Sequence, residues 1–236
     1  MNRLSMTLLW LFAVKNIKIR LAKETNIFRK DFTLAEVLMT LMVVGVVATA
    51  TMVILLPAIE DAQYKMAFKT IYSLVAQATS HIAADNGNSL KGVFTGNNVM
   101  RDKFAQYLNI IKYCDVGKTF GNCWHNMDGS LKYLNGSPII AWANTSGIIL
   151  NNGMLLRFQV DSGACTSLVG TIQKCGYISI DVNGWKGPNI LGKDVHQIWI
   201  LENSIKPLGT KGDTQENTCT ISSSGNGCAA KVLMGQ

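Results

Sequence analysis

Three sets of side chains in this chain of 236 residues have the types and spacing for chemistry. The first lies in DVNGWKGPNILGKD, which gathers Asp181, Asn183, Asn189 and Asp194 among glycines at 184, 187 and 192. Oxygen ligands on a glycine-rich loop suit calcium, although the closing glutamate of an EF-hand loop is missing. The plainer reading makes Asx turns of the same residues, with Gly and Pro setting the backbone. The second set is six cysteines: Cys114, Cys123, Cys165, Cys175, Cys219 and Cys228. The third is a lone carboxylate, Glu36, almost at the start of a long apolar run and three residues after Thr33.

Enzymatic chemistry finds little support. His81, His125 and His196 sit apart in sequence and read as surface or packing histidines. No G-x-S-x-G, H-E-x-x-H or phosphate-binding glycine loop is present, so an enzyme is not expected. Trp124, Trp142, Trp185 and Trp199 read either as a binding face or as core, and core is the safer expectation.

The cysteines pair naturally as neighbours, with spacings of nine, ten and nine. Their even number, beyond the apolar run, points to disulfides in an exported region rather than to zinc, since C-x-x-C is absent. Six cysteines permit fifteen pairings. Consecutive pairing, closing three short loops worth roughly 2.5–3 kcal/mol each, is the expectation.

The elements that must position these groups begin with residues 37–59, a stretch without charge whose strongest polar side chains are threonines. About 20 apolar residues suffice to cross a bilayer. Seven Lys/Arg against two acidic residues precede Phe32, a local charge of +5, whereas the rest of the chain carries only +2. The basic character is therefore a topology signal, with the N-terminus cytoplasmic, and not a nucleic-acid footprint. The apolar stretch Leu8 to Val14 is too short to span.

FTLAEVLMTLMVVGVV, with Phe32, Thr33, Leu34, Glu36, Val37 and Leu38, resembles the N-terminal signature of type IV pilins and type II secretion pseudopilins. The resemblance covers about 30 residues. It implies a precursor cut between Asp31 and Phe32 by a prepilin peptidase, then methylation of the new amino group. The family usually has Gly, sometimes Ala, where this chain has Asp31, and the leader here is long. The implied partners are other pilin-like subunits and an inner-membrane assembly platform. The implied location is the bacterial inner membrane, crossed once, with the head periplasmic or extracellular after assembly. Some pseudopilins carry calcium in a loop near the end of the sheet, which supports the calcium reading of Asp181 to Asp194.

Glu36 has two compatible roles. With Thr33 it fits a capping box, each residue satisfying the other's amide, and its charge suits a helix N-terminus. The resemblance implies a second role in assembly, where the Phe32 amine of an adjacent subunit neutralises the carboxylate and sets the register.

The expected fold class is α+β: a long N-terminal membrane-spanning helix, a pilin-like stalk, packed on a small antiparallel sheet with disulfide-clipped loops. The expected organisation is a basic leader at 1–31, the helix at 32–84 with its membrane half at 37–59, and a head at 85–236. Three-and-four spacing of Ile59, Ala62, Met66, Ile71, Leu74, Val75, Ala78 and Ile82 extends the helix to Ala84, with Asn86-Gly87 as the stop and Pro57 as a kink or weak point. A short helix is expected around Val99 to Tyr107. Strands are expected at Ile139–Trp142, Ile148–Leu150, Met154–Val160, Tyr177–Val182 and Gln197–Leu201, and a loop from Thr210 to Gly227.

Overall fold

The computed structural model describes residues 33–235, so the leader and the expected Asp31–Phe32 processing point lie outside the described residues. The chain falls into two compact units, Met1–Leu55 and Leu56–Gln236. The fold is α+β.

Helix α1, Leu34–Ala84, runs on through Pro57. It is long and apolar enough to cross a membrane. In the first unit it exposes large apolar side chains, among them Leu34, Val37, Leu41, Met42, Met52 and Leu55. The few polar groups there are satisfied within the helix. Thr40 Oγ1 donates to Val37 O at 3.0 Å, Thr49 Oγ1 to Gly45 O at 3.0 Å and Thr51 Oγ1 to Val47 O at 3.0 Å. A surface with no outward-pointing hydrogen-bond demand is what a hydrocarbon solvent requires.

In the second unit, Phe68, Ile71, Val75, Ala78 and Ile82 of α1 are buried in the main core. Of the expected helix face, Ile71, Val75, Ala78 and Ile82 are buried, whereas Ile59, Ala62, Met66 and Leu74 lie on the outside, Met66 66% exposed. The missed anchor is Phe68. The helix ends as the sequence suggests: Asn86 Nδ2 donates to Ile82 O, and the Asn88 amide donates to Ala83 O. Gly87 and Asn88 take positive φ, the left-handed turn that closes a helix.

The head carries α2 (Asn97–Ala105), eight strands and α3 (Cys228–Met234). The strands are β1 Ile110–Cys114, β2 Ser146–Leu150, β3 Leu155–Val160, β4 Ser167–Val169, β5 Ile172–Lys174, β6 Gly176–Asp181, β7 Val195–Ile200 and β8 Ile205–Pro207. Six form an antiparallel sheet in the order β1-β2-β3-β6-β7-β8, and β4-β5 is a separate hairpin. The expected turn at Asn151-Asn152-Gly153 joins β2 to β3. The sequence reading misses β1, β4, β5, β8 and α3, all short. Ile139–Trp142 is a correction: it is no strand, and Ile139 is buried as a loop anchor.

Alternation along the strands sorts the sheet into two faces. Ile148, Leu156, Phe158, Ile178, Ile180 and Ile198 share one core with α1 and α2. The opposite face presents Ile149, Leu155, Arg157, Ser179, Asp181, Gln197 and Trp199, and it is also covered. Trp124, Leu131 and Ile139, from the loop after β1, pack on Ile149 and Leu155. That loop comes so near that a Cβ on Gly147 would lie 2.8 Å from Thr119 Cγ2 and 3.0 Å from Cys123 Cβ. Leu208 packs with Trp199.

All six cysteines are bonded in consecutive pairs, Cys114–Cys123, Cys165–Cys175 and Cys219–Cys228. The first ties β1 to the covering loop. The second ties the start of the β4–β5 segment to the residue after β5. The third clips the tail to the start of α3.

Candidate functional site

At the start of α1 the Thr33 amide donates to Glu36 Oε2 at 3.1 Å, and the Glu36 amide donates to Thr33 Oγ1 at 3.3 Å. This reciprocal pair is the expected capping box. Both residues are exposed. The carboxylate thus satisfies the Thr33 N–H and also sits at the positive end of the helix dipole.

The Asp181–Asp194 loop is built differently from a single ligand set. Asp181, at the end of β6, is fully buried. Its Oδ2 lies 2.8 Å from His125 Nε2, and its Oδ1 accepts from the amides of Asn183 (3.1 Å) and Gly184 (2.8 Å). Burial is the dominant influence and pushes its pKa up to about 6, against the lowering effect of His125. Asp194 is turned to its own loop: Oδ2 accepts from the Asn189 amide and Oδ1 from the Ile190 amide, both at 2.7 Å. Burial raises its pKa, and those amides oppose the rise. Asn183 Nδ2 donates to Gly187 O at 2.9 Å. The two side-chain oxygens left without partners are Asn183 Oδ1 and Asn189 Oδ1. A calcium ion here would take those two oxygens and would compete with N–H donors for both carboxylates. Among the described residues no group of three or more His, Cys, Asp or Glu side chains is placed to hold a metal ion.

The histidines separate by environment. His81 is exposed on α1 and stacks on Tyr107 with ring centroids 5.3 Å apart. His196 is buried on β7 against Phe68 at 4.3 Å, and burial drives its pKa down to about 4. His125 lies between Trp124 and Trp185 and faces Asp181. A buried acid–base pair forms there, but nothing in the strand pattern before β6 signals that His125 would reach it.

The covered sheet face holds a second arrangement that sequence reasoning missed. Arg157, central on β3, is fully buried and stacks on Trp142, with its guanidinium carbon 4.1 Å from the ring centroid. Tyr177 and Trp124 flank it at 5.4 and 5.9 Å. Its Nη2 donates to Ser179 Oγ at 3.1 Å and its Nη1 to Ala143 O at 3.4 Å, while Nε has no partner. Among the described residues no carboxylate forms an ion pair with it, and burial pulls its pKa down. Lys174 bonds the Asp161 carboxylate and lies 4.3 Å from the Trp199 ring centroid. Trp199 Nε1 donates to Asp213 Oδ2 at 2.6 Å. The one sequence signal is a cation inside LLRFQV, an otherwise strand-like segment.

Comparison with protein-family models, with curated proteins and with solved structures finds no match to this chain.

Proposed function

We propose that the chain is a pilin-like structural subunit that assembles through its N-terminal helix into a type II secretion pseudopilus or a related type IV filament. The observation that carries the reading is the Thr33–Glu36 box at the head of a helix that exposes large apolar side chains such as Leu34, Leu41, Met42, Met52 and Leu55. So much apolar surface needs lipid or neighbouring helices to cover it. At a membrane edge, Thr33 alone keeps Glu36 satisfied. In a filament the carboxylate leaves water, where an unpaired charge is strongly unfavourable. The amine on Phe32 of an adjacent subunit, exposed by cleavage after Asp31, supplies the counter-charge and sets the axial register. A prepilin peptidase and an inner-membrane assembly platform are the further partners, with the N-terminus cytoplasmic.

Glu36→Gln keeps the shape of the side chain and deletes its charge. Filaments should be lost while the thermal midpoint of the head stays unchanged; normal filaments would remove the register pairing. Intact mass of the native protein should show loss of residues 1–31 and gain of one methyl group. Asp31 favours a second reading, an uncleaved signal anchor that displays the head as a surface binding protein, and an intact leader would select it. Calcium at the Asp181–Asp194 loop is a lesser part of the proposal, supported by the orphaned oxygens of Asn183 and Asn189. Absence of both heat and a thermal shift on calcium addition would dispose of it.

A further inference from the structure

A cavity of about 210 Å³ opens over the covered sheet face, within the head. Tyr133 and Trp142 come to it from the loop after β1. Tyr177 and Trp199 are register partners on β6 and β7 and meet edge to face, with centroids 5.7 Å apart. Three amides, Gln197 from β7 and Gln215 and Asn226 from the tail, line it as well, with Leu208. None of the lining side chains is charged.

The lining keeps hydrogen-bonding capacity in reserve. Gln197 Nε2 is used on Ser179 Oγ at 3.0 Å, and Gln215 Oε1 accepts from Asn226 Nδ2 at 3.2 Å. Among the described residues, Gln197 Oε1, Gln215 Nε2, Asn226 Oδ1 and the Tyr133 hydroxyl have no partner. Unused donors and acceptors therefore line the cavity together with aromatic rings. Tyr and Trp supply rigid contact area at little entropic cost, and amides supply adaptable hydrogen bonds.

The charges beside the rings restrict the ligand. Arg157 lies over Trp142 and Tyr177, and Lys174 over Trp199. A cationic ligand would meet rings whose π-faces already serve cations, and would be repelled. An anion would find no lining charge to pair with. The volume is below the ~300 Å³ at which pockets begin to take drug-sized molecules. What fits is one small ring with an apolar C–H face and a rim of hydroxyls. We infer that this cavity binds a single ring of a neutral saccharide.

The assignment stands apart from the filament reading and is tested separately. The full chain, held in a sugar-free polyoxyethylene detergent, is mixed with galactose, glucose or N-acetylglucosamine, and with choline and glucuronate as charged comparators. Saturation transfer to ligand ring protons and tryptophan fluorescence report binding. At least one neutral sugar should bind saturably. Tyr133→Phe, deleting one hydrogen bond to the ligand, should weaken it about tenfold with the thermal midpoint unchanged; Gln215→Ala, which also frees Asn226 Nδ2 and Thr218 Oγ1, should weaken it at least as much. No transfer to any neutral sugar, tighter binding of choline or glucuronate than of every neutral ring, or binding indifferent to both substitutions would overturn it.

Discussion

Thr40, Thr49 and Thr51 on the apolar helix, and Arg157 and Ser179 under the head's covering loops, face the same difficulty: each is a polar group in surroundings that exclude water or are suited to exclude it. The threonines solve it locally, donating to carbonyls three or four residues earlier. Arg157 solves it at long range, with partners 14, 20 and 22 residues away. A segment that satisfies itself can be moved from one apolar environment to another without rebuilding. A layer that depends on distant chain keeps its shape only while that chain stays folded over it. The same division separates the disulfides: all three lie in the head.

The sharpest way to break this comparison is to remove one large side chain from each region. Phe68→Ala should cost the head about 3–5 kcal/mol, a transfer loss plus a cavity, read by chemical denaturation. Leu41→Ala, on the exposed apolar stretch, should leave that measurement unchanged. Equal losses would show that the head depends on the apolar stretch.

Acid should separate two buried groups that oppose each other. His196 has its pKa lowered from 6.5 to about 4 by burial, so the unfolded state binds more protons in that window. Its share of stability is complete above 6.5 and falls as pH drops toward 4, by about 3 kcal/mol. Asp181 is raised from 3.8 to about 6, chiefly by burial, so the folded state binds more protons and stability rises as pH falls through that range, again by about 3 kcal/mol. In the wild type the two contributions should oppose each other between pH 6 and 4, with Asp194, whose pKa burial also raises, adding to the Asp181 side. His196→Gln should make it climb on acidification, and Asp181→Asn should make it fall. Variants with unchanged profiles would exclude both groups.

Replacing Cys165 and Cys175 together by Ser should cost roughly 2.5–3 kcal/mol, seen as a lowered denaturation midpoint. The smallest effect belongs to the local solution. Thr33→Ala removes one cap for about 1 kcal/mol, expected as faster amide exchange in the first turn of α1 in micelles and no change in the head.

The extent to which each region is legible in sequence follows the same physics. The apolar helix, its Thr33–Glu36 cap and its stop at Asn86-Gly87 depend on neighbours within one or two turns, and each is where the sequence places it. The helix face drifted at Met66 because three-and-four spacing is degenerate over several turns, and only contact with the sheet selects Phe68. β6 shows alternation in Ile178 and Ile180, and β2, β3 and β7 carry apolar runs, whereas β4, β5 and β8 have three residues each, too few for a period. Of the expected calcium set, the residues are adjacent in sequence, yet His125, 56 residues away from Asp181, claims one carboxylate.

From composition and local spacing alone follow an apolar helix able to cross a membrane, a basic segment before it, an acidic helix cap and cysteines close enough to pair as neighbours. These are properties of short stretches, where the interacting groups lie within a few residues of one another. Tertiary structure alone decided that the second sheet face is covered, that Arg157 is sealed beneath three aromatic rings, and that loop, strand and tail residues meet around one cavity. Those outcomes depend on which distant segment folds back over the sheet, and alternation along a strand says which side a residue takes but not what will lie against it.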